Sequence, residues 1–219
     1  MAEVTIYPEY DASVTRQPTS GDWNSIITGD GTGVSTTLHV VVSSYVFTYF
    51  CWRIYSRFDT TSIPTNAIIT SATIKRYFYQ VTGTNVLAEI MRLTKSDDLS
   101  SDDASLYQSI TSTHATTTTD VGNDFEWETF TIDGNLLTYL QTQVTAGNKT
   151  AVLLRNKMDY NENAPSGINA HYFYGLDDDD VSGTDYRPYL TVNYTIPVDT
   201  NFDFQNGTVH IGSNANIHI

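Results

Sequence analysis

Residues 63–81 read IPTNAIITSATIKRYFYQV, a turn followed by one long strand. In the turn, Pro64 fixes φ and Asn66 tolerates left-handed backbone geometry. Apolar and polar residues then alternate with the period of two that is typical of a strand. The apolar set is Ile69, Ala72, Ile74, Tyr77 and Tyr79, against Thr70, Thr73, Lys75 and Gln80. The alternation slips along the run, which predicts a β-bulge within the strand.

Short β-type runs recur on both sides of this stretch. Within residues 4–14 a strand is predicted around Val4, Ile6 and Pro8, followed by a bend. Further strands are predicted over residues 86–93, 125–132, 150–155, 170–174 and 189–195. Residues 38–58 are too long for one strand, so two are expected, hinged near Ser43-Ser44. Residues 17–37 and 111–120 read as loops, and residues 99–106 as one helical turn.

A short helix is predicted over residues 135–146. Leu136, Leu137, Leu140 and Val144 recur at helical spacing, and Gly147 ends the run. Many short strands, frequent turns and one short helix together predict an all-β fold. We expect an antiparallel β-sandwich, jelly-roll-like, over residues 1–197.

The C-terminal residues 198–219 form a separate extended arm in this prediction. Asn206-Gly207 is a strong signal for a two-residue hairpin turn. A hairpin of ~20 residues cannot form a core of its own. It is therefore expected to pack on a neighbouring subunit, on the sandwich or on a particle. The assembly residues expected in the arm are Phe202, Phe204, Val209, His210 and Ile211.

Composition and charge exclude several classes of partner. The 219 residues carry a formal net charge of −14, which disfavours nucleic-acid phosphates and anionic membrane surfaces. No segment approaches the ~20 apolar residues of a membrane span, and the start lacks the pattern of a signal peptide. Cys51, the single cysteine, lies in an aromatic, β-branched run and is expected to be a buried thiol.

Residues with catalytic potential form no recognisable constellation. Glu126 and Glu128 flank Trp127, and we expect a solvated carboxylate face with Trp127 turned to the core. The five histidines lack metal-ligand spacing, and no nucleophile motif occurs. The sequence therefore predicts a protein that is not an enzyme and has no cofactor. Calcium is the first metal candidate, with Asp177, Asp178, Asp179, Asp180 and Asp185 as ligands. A structural zinc or similar ion at His210 and His218 is the alternative, if the tail forms a trimer.

A sugar site is the stronger candidate for ligand binding. Aromatic rings offer flat apolar surfaces to pyranose rings, and amides bind their hydroxyl groups. The candidate glycan-binding residues are Trp23, Tyr160, Asn161, Tyr172, Tyr174 and Tyr186.

Three parts of the chain occur in a characteristic order. They are residues 7–14, residues 57–74, and a closing pattern made of the helix 135–146, the strand 151–155 and residues 187–194. Over residues 4–196, the chain resembles DNRLRE-type sandwich domains, which are related to carbohydrate-binding modules. The resemblance implies an extracellular or surface-displayed module, such as those found in enzymes, adhesins and phage structural proteins.

Two functions are expected from these observations. The first is a virion structural protein, namely a capsid decoration, head-fibre or tail-associated protein displayed on the virion surface. Its partners would be other virion proteins and further copies of itself. The alternative is an extracellular carbohydrate-binding or adhesion module that binds a surface glycan.

Overall fold

The computed structural model describes residues 1–16, 22–28, 33–35, 39–46, 48–82, 87–92, 115–120, 124–156, 159, 163–175, 185–197, 202–205, 208–211 and 215–218. Within them lie fifteen strands, two α-helices and a 3-10 turn, Thr60–Ser62. The strands of the sandwich are β1 Ala2–Ile6, β2 Pro8–Arg16, β3 Gly33–Ser35, β4 His39–Val46, β5 Thr48–Phe58, β6 Ile68–Thr82, β7 Leu87–Arg92, β8 Ala115–Asp120, β9 Glu126–Ile132, β10 Thr150–Asn156, β11 Ile168–Phe173 and β12 Tyr189–Thr195. The helices are α1 Trp23–Thr28 and α2 Gly134–Thr145.

The fold is an all-β antiparallel sandwich, as predicted. One layer has the order β1-β12-β6-β9, and the other is built around β5, which pairs with β2 and β10. Strands β11 and β4 join the layers, because β11 pairs with the end of β6 and β4 pairs with β5. The strand β6 is therefore central, and its long alternating run determines which side chains face inward.

The main core lies between the two layers. Buried apolar side chains from β6, β9 and β12 meet those of β5 and β10, and α2 covers one side with Leu136, Leu140 and Val144. A second core lies on the opposite side of β5, where α1 contributes Trp23 and Ile26. Strand β10 is consequently buried along its whole length. Cys51 lies in this second core as a buried free thiol, as predicted.

A polar network crosses the main core. Arg76 on β6 is 1% exposed and donates from Nη2 to Asp11 Oδ1 at 2.6 Å and from Nη1 to Oδ2 at 3.2 Å. Ser56 donates to Asp11 Oδ1 at 2.5 Å and also contacts Arg76. Because Asp11 and Ser56 belong to one layer and Arg76 to the other, the network ties the layers together.

A second buried ion pair joins Arg53 to Asp159, which follows β10 in the chain. Arg53 on β5 donates from Nε and Nη2 to the two carboxylate oxygens of Asp159, each at 2.6 Å. The same guanidinium reaches the carbonyl oxygen of Ile27 at 3.3 Å, so it also holds the end of α1. Both charged side chains are almost completely buried. Bidentate geometry of this kind offsets part of the cost of removing two charges from water.

Several strand boundaries agree with the sequence predictions. Strand β12 runs over the predicted residues 189–195, and α2 differs from the predicted helix by one residue at each end. The bulge in β6 is confirmed, since the register shifts opposite Asn193/Tyr194 and Tyr172/Phe173.

Three expectations of secondary structure were wrong. Residues 17–37 are not all loop, because they contain α1 and β3, and residues 115–120 form β8 rather than an exposed loop. The hinge expected near Ser43-Ser44 lies after Val46, since both serines belong to β4, where they are buried against β11 and β5. The helical turn expected over residues 99–106 lies outside the described residues.

The C-terminal residues form a small sheet of their own. Its strands are β13 Phe202–Gln205, β14 Thr208–Ile211 and β15 Ala215–His218, all antiparallel. Gln205 pairs with Thr208, which is the register that a two-residue Asn206-Gly207 turn requires. The third strand was not predicted. In the described part of the chain, this sheet pairs with no strand of the sandwich.

Candidate functional site

The layer β1-β12-β6-β9 has one side in the main core and one side turned away from it. Cross-strand partners share a face of a sheet, so the register defines this second side, here called the outer face. Its residues are Glu3, Thr5, Ser71, Thr73, Lys75, Tyr77, Trp127, Thr129, Thr131, Tyr189, Thr191 and Asn193.

Four threonines cross the outer face in a single row. Thr5 pairs with Thr191, Thr191 with Thr73, and Thr73 with Thr131. Thr5 and Thr131 are exposed, and the two between them are half-buried. β-Branched threonine favours the extended strand, and its hydroxyl group can both donate and accept hydrogen bonds. The row therefore presents regularly spaced hydroxyl groups across four strands.

Aromatic rings form a continuous stripe beside this row, here called the aromatic ladder. Its members in spatial order are Tyr7, Tyr189, Trp127, Tyr77, Tyr186, Tyr174, Tyr79 and Tyr172. Neighbouring ring centroids are 6.2, 5.4, 5.4, 4.2, 5.1, 5.2 and 5.8 Å apart in that order. Tyr7 is 40% exposed, and the other rings are half-buried.

The alternation of β6 explains how the ladder arises. Ile74, Arg76 and Phe78 are buried, so Tyr77 lies on the opposite side of the strand. Tyr77 pairs with Trp127 on β9, and their rings meet edge to face. Edge-to-face and offset ring pairs contribute about 0.5–1.5 kcal/mol beyond area burial. The rings therefore support one another in fixed positions.

One end of the ladder carries an ion pair. Arg187 binds Asp185 with Nε and Nη2, each at 2.9 Å, and its guanidinium lies 4.4 Å from the centre of the Tyr7 ring. The hydrogen bond from Arg187 lowers the pKa of Asp185 to about 2. The hydrogen bond to Asp185 raises the pKa of Tyr7, and burial adds to this effect. This end of the ladder is thus fixed by charge-assisted contacts.

Tyr77 lies at the centre of the ladder, between Trp127 and Tyr186. Burial raises the pKa of Tyr77, and the neighbouring Tyr186 adds to the rise. The Tyr77 hydroxyl group donates to the carbonyl oxygen of Phe125 at 2.9 Å. Phe125 itself has φ +62° and is 66% exposed, so this turn holds an apolar ring in solvent beside the ladder.

Three of the predicted glycan-binding residues meet in the ladder. Tyr174 and Tyr186 stack at 5.1 Å, and Tyr172 joins them through Tyr79. Trp23 lies elsewhere, 4% exposed in the second core against Tyr49. Tyr160 and Asn161 are outside the described residues.

Sequence reasoning missed five members of the ladder: Tyr7, Tyr77, Tyr79, Trp127 and Tyr189. The signal that could have found Tyr77 and Tyr79 was Phe78, whose burial puts its two neighbours on the other side of β6. The expectation that Trp127 points to the core was also wrong. The buried Phe130 and Ile132 share the side of β9 that carries Glu126 and Glu128, and Trp127 is on the outer face.

The proposed calcium ligands Asp177, Asp178, Asp179 and Asp180 lie outside the described residues. Asp185 is described, and its two carboxylate oxygens bind Arg187. Within the described ranges, no three His, Cys, Asp or Glu side chains are grouped as metal ligands. In the same ranges, no helix has the length and apolar character needed to cross a membrane.

Comparison with known proteins found no matching family model and no matching curated protein.

Proposed function

We propose that this chain is a non-enzymatic structural protein of a virion, a capsid decoration, head-fibre or tail-associated sandwich that assembles through its C-terminal sheet. The observation that carries the proposal is the register of β13, β14 and β15, which gives that sheet one apolar and one polar side. The partners are other virion proteins and further copies of this chain.

The apolar side of the sheet is continuous across its three strands. Between β13 and β14, Phe202 pairs with Ile211 and Phe204 with Val209. Between β14 and β15, Ile211 pairs with Ala215 and Val209 with Ile217. The polar side consists of Asp203, Gln205, Thr208, His210, Asn216 and His218. Four of the five assembly residues predicted from sequence thus share the apolar side, and His210 belongs to the other.

A small sheet with this pattern requires a partner. A sheet that is apolar on one side has to bury that side against another element. An apolar patch rimmed by polar residues is typical of an interaction surface. The occupant that we assign is the equivalent surface of another subunit, since a self-complementary patch generates a closed symmetric oligomer. The resemblance of residues 4–196 to DNRLRE-type domains, some of them in phage structural proteins, is consistent with this role.

Light scattering coupled to size-exclusion chromatography tests the proposal. The full chain of 24.4 kDa is expected to elute as an oligomer, and deletion of residues 198–219 should yield a monomer. Phe204→Ser should weaken association strongly, whereas the adjacent Asp203→Ser on the polar side should not. Circular dichroism and the thermal midpoint should show that the sandwich survives each change. A full chain that is monomeric at all accessible concentrations contradicts the proposed self-assembly.

A carbohydrate-binding or adhesion module is the second candidate. The observation that favours it is the aromatic ladder beside the threonine row. Either role uses surface contact rather than chemistry, and the two surfaces belong to different sheets.

A further inference from the structure

We propose that the aromatic ladder and the threonine row together form a binding site for an uncharged, extended polysaccharide. The chain of sugars would lie along the ladder, with its rings on the aromatic surfaces and its hydroxyl groups toward the threonines. This inference does not depend on assembly through the C-terminal sheet.

The ladder offers more aromatic surface than one sugar ring can cover. Eight rings are linked by centroid spacings between 4.2 and 6.2 Å, and Tyr77, Tyr186 and Tyr174 form a compact triangle among them, since Tyr77 and Tyr174 are themselves 5.7 Å apart. Aromatic rings offer large, rigid apolar surface together with a polar tip, so they bind the CH-rich sides of sugar rings at low entropic cost. A surface of eight rings suits several consecutive sugars better than one monosaccharide.

The threonine row supplies the polar half of the site. Thr5, Thr191, Thr73 and Thr131 lie across the four strands, and Asn193 extends the polar surface on β12. Sugar hydroxyl groups donate and accept hydrogen bonds, as threonine hydroxyl and asparagine amide groups do. Ligand sites combine apolar walls with a few fixed polar groups in this way.

Charge decides the class of polysaccharide. The outer face carries one anionic and one cationic residue, Glu3 and Lys75, so it has no net charge. The whole chain has a formal net charge of −14, and its field opposes the approach of polyanions. An uncharged glycan is therefore favoured over one rich in uronic or sialic acids.

The residue types of the outer face distinguish a sugar from a protein partner. None of the twelve residues that define the face is valine, isoleucine, leucine or methionine, and the exposed Ile68 lies beyond them at the start of β6, opposite Thr195. A stable protein interface usually has an apolar, fully desolvated centre. A protein partner on this face would instead have to bury the hydroxyl groups of five threonines and Ser71, which a hydroxyl-rich ligand can satisfy.

Native affinity electrophoresis of the full chain in gels containing hydroxyethylcellulose, xylan or mannan tests the site. At least one of these uncharged polymers should retard the protein, and polygalacturonate should not. Tyr189→Ala should weaken the retarding interaction about tenfold, which is the loss expected when an aromatic hot-spot side chain is removed. Tyr139→Ala, which removes a half-buried ring from α2, is the matched control and should leave retardation unchanged.

A second pair of variants preserves the fold if a ring substitution does not. Thr131→Val and Thr5→Val keep the β-branched shape and remove only the hydroxyl group, and each should weaken retardation several-fold. Retardation by none of the three uncharged polymers overturns the proposal. So does retardation that is unchanged in both Tyr189→Ala and the threonine variants. A third outcome also overturns the proposal. If the chain lacking residues 198–219 forms a dimer, and Tyr189→Ala abolishes that dimer, the outer face is a protein interface.

Discussion

Replacing Asp11 by leucine should destabilise the sandwich more than any exposed charge substitution. Asp11 holds the guanidinium of Arg76 between the two layers, and both side chains are at most 1% exposed. Asp11→Leu leaves Arg76 as a buried charge without its carboxylate, and Ser56 loses its acceptor. Phe173, 5.6 Å from the guanidinium, offers a ring in place of the carboxylate, and Glu128 on β9 is the cross-strand partner of Arg76.

Removal of one partner from a buried ion pair costs about 3–5 kcal/mol. For a domain of this size, a urea m-value of about 2–3 kcal/mol/M converts this to a midpoint lowered by ~1–2 M. The exposed pair at the end of the ladder is the control. Asp185 is 41% exposed in its side chain, so Asp185→Ala should cost less than about 1 kcal/mol.

A double-mutant cycle measured by equilibrium urea unfolding separates the free energy of the ion pair from the cost of general damage to the core. Asp11→Leu and Arg76→Met should each be strongly destabilising, and the double variant should recover much of the loss because no charge remains buried. The reasoning is refuted if Asp11→Leu unfolds within about 1 kcal/mol of the unaltered protein, or if the two single effects simply add.

Three further predictions concern the core, the thiol and the ladder. Leu140→Ala on α2 removes a completely buried side chain and should lower the free energy of unfolding by about 2–5 kcal/mol, measured in urea. Cys51 should react with Ellman's reagent only on unfolding, because a buried thiol is inaccessible; rapid modification of the native protein would contradict its burial. Tyr77 should ionise above the ordinary tyrosine pKa of about 10, so its contribution to stability is complete below that pH and is lost as pH rises through its folded pKa. Absorbance titrations of Tyr77→Phe and of the unaltered protein measure the pKa of Tyr77 by difference. If the tyrosine missing from the variant is one that ionises at or below pH ~10, the prediction is contradicted.

The elements that could be predicted from sequence are those whose pattern is local. Residues 189–195 alternate and end before Pro197, and residues 136–144 repeat at helical spacing, so β12 and α2 were predicted within one residue. The Asn206-Gly207 pair likewise gave the correct pairing of Gln205 with Thr208. In each case one short segment contains all the information needed.

The features that were missed depend on residues far apart in the chain. Arginine is usually a surface residue. Arg76 is buried because it pairs with Asp11, which is distant in the sequence. Strand β10 was predicted as a strand, but the burial of both its sides depends on the second core, to which distant strands and α1 contribute. The ladder joins rings from several strands, and Trp127 belongs to it because of its pairing with Tyr77. Such a site becomes visible only when the register is known.

Amide hydrogen exchange of residues 202–211 is the most direct test of the claim that the C-terminal sheet is an assembly surface. The account predicts slow exchange in the full chain, with protection that increases with protein concentration as the apolar side becomes covered by a second subunit. Exchange at the rates of an unstructured peptide, equal at every concentration, would contradict it.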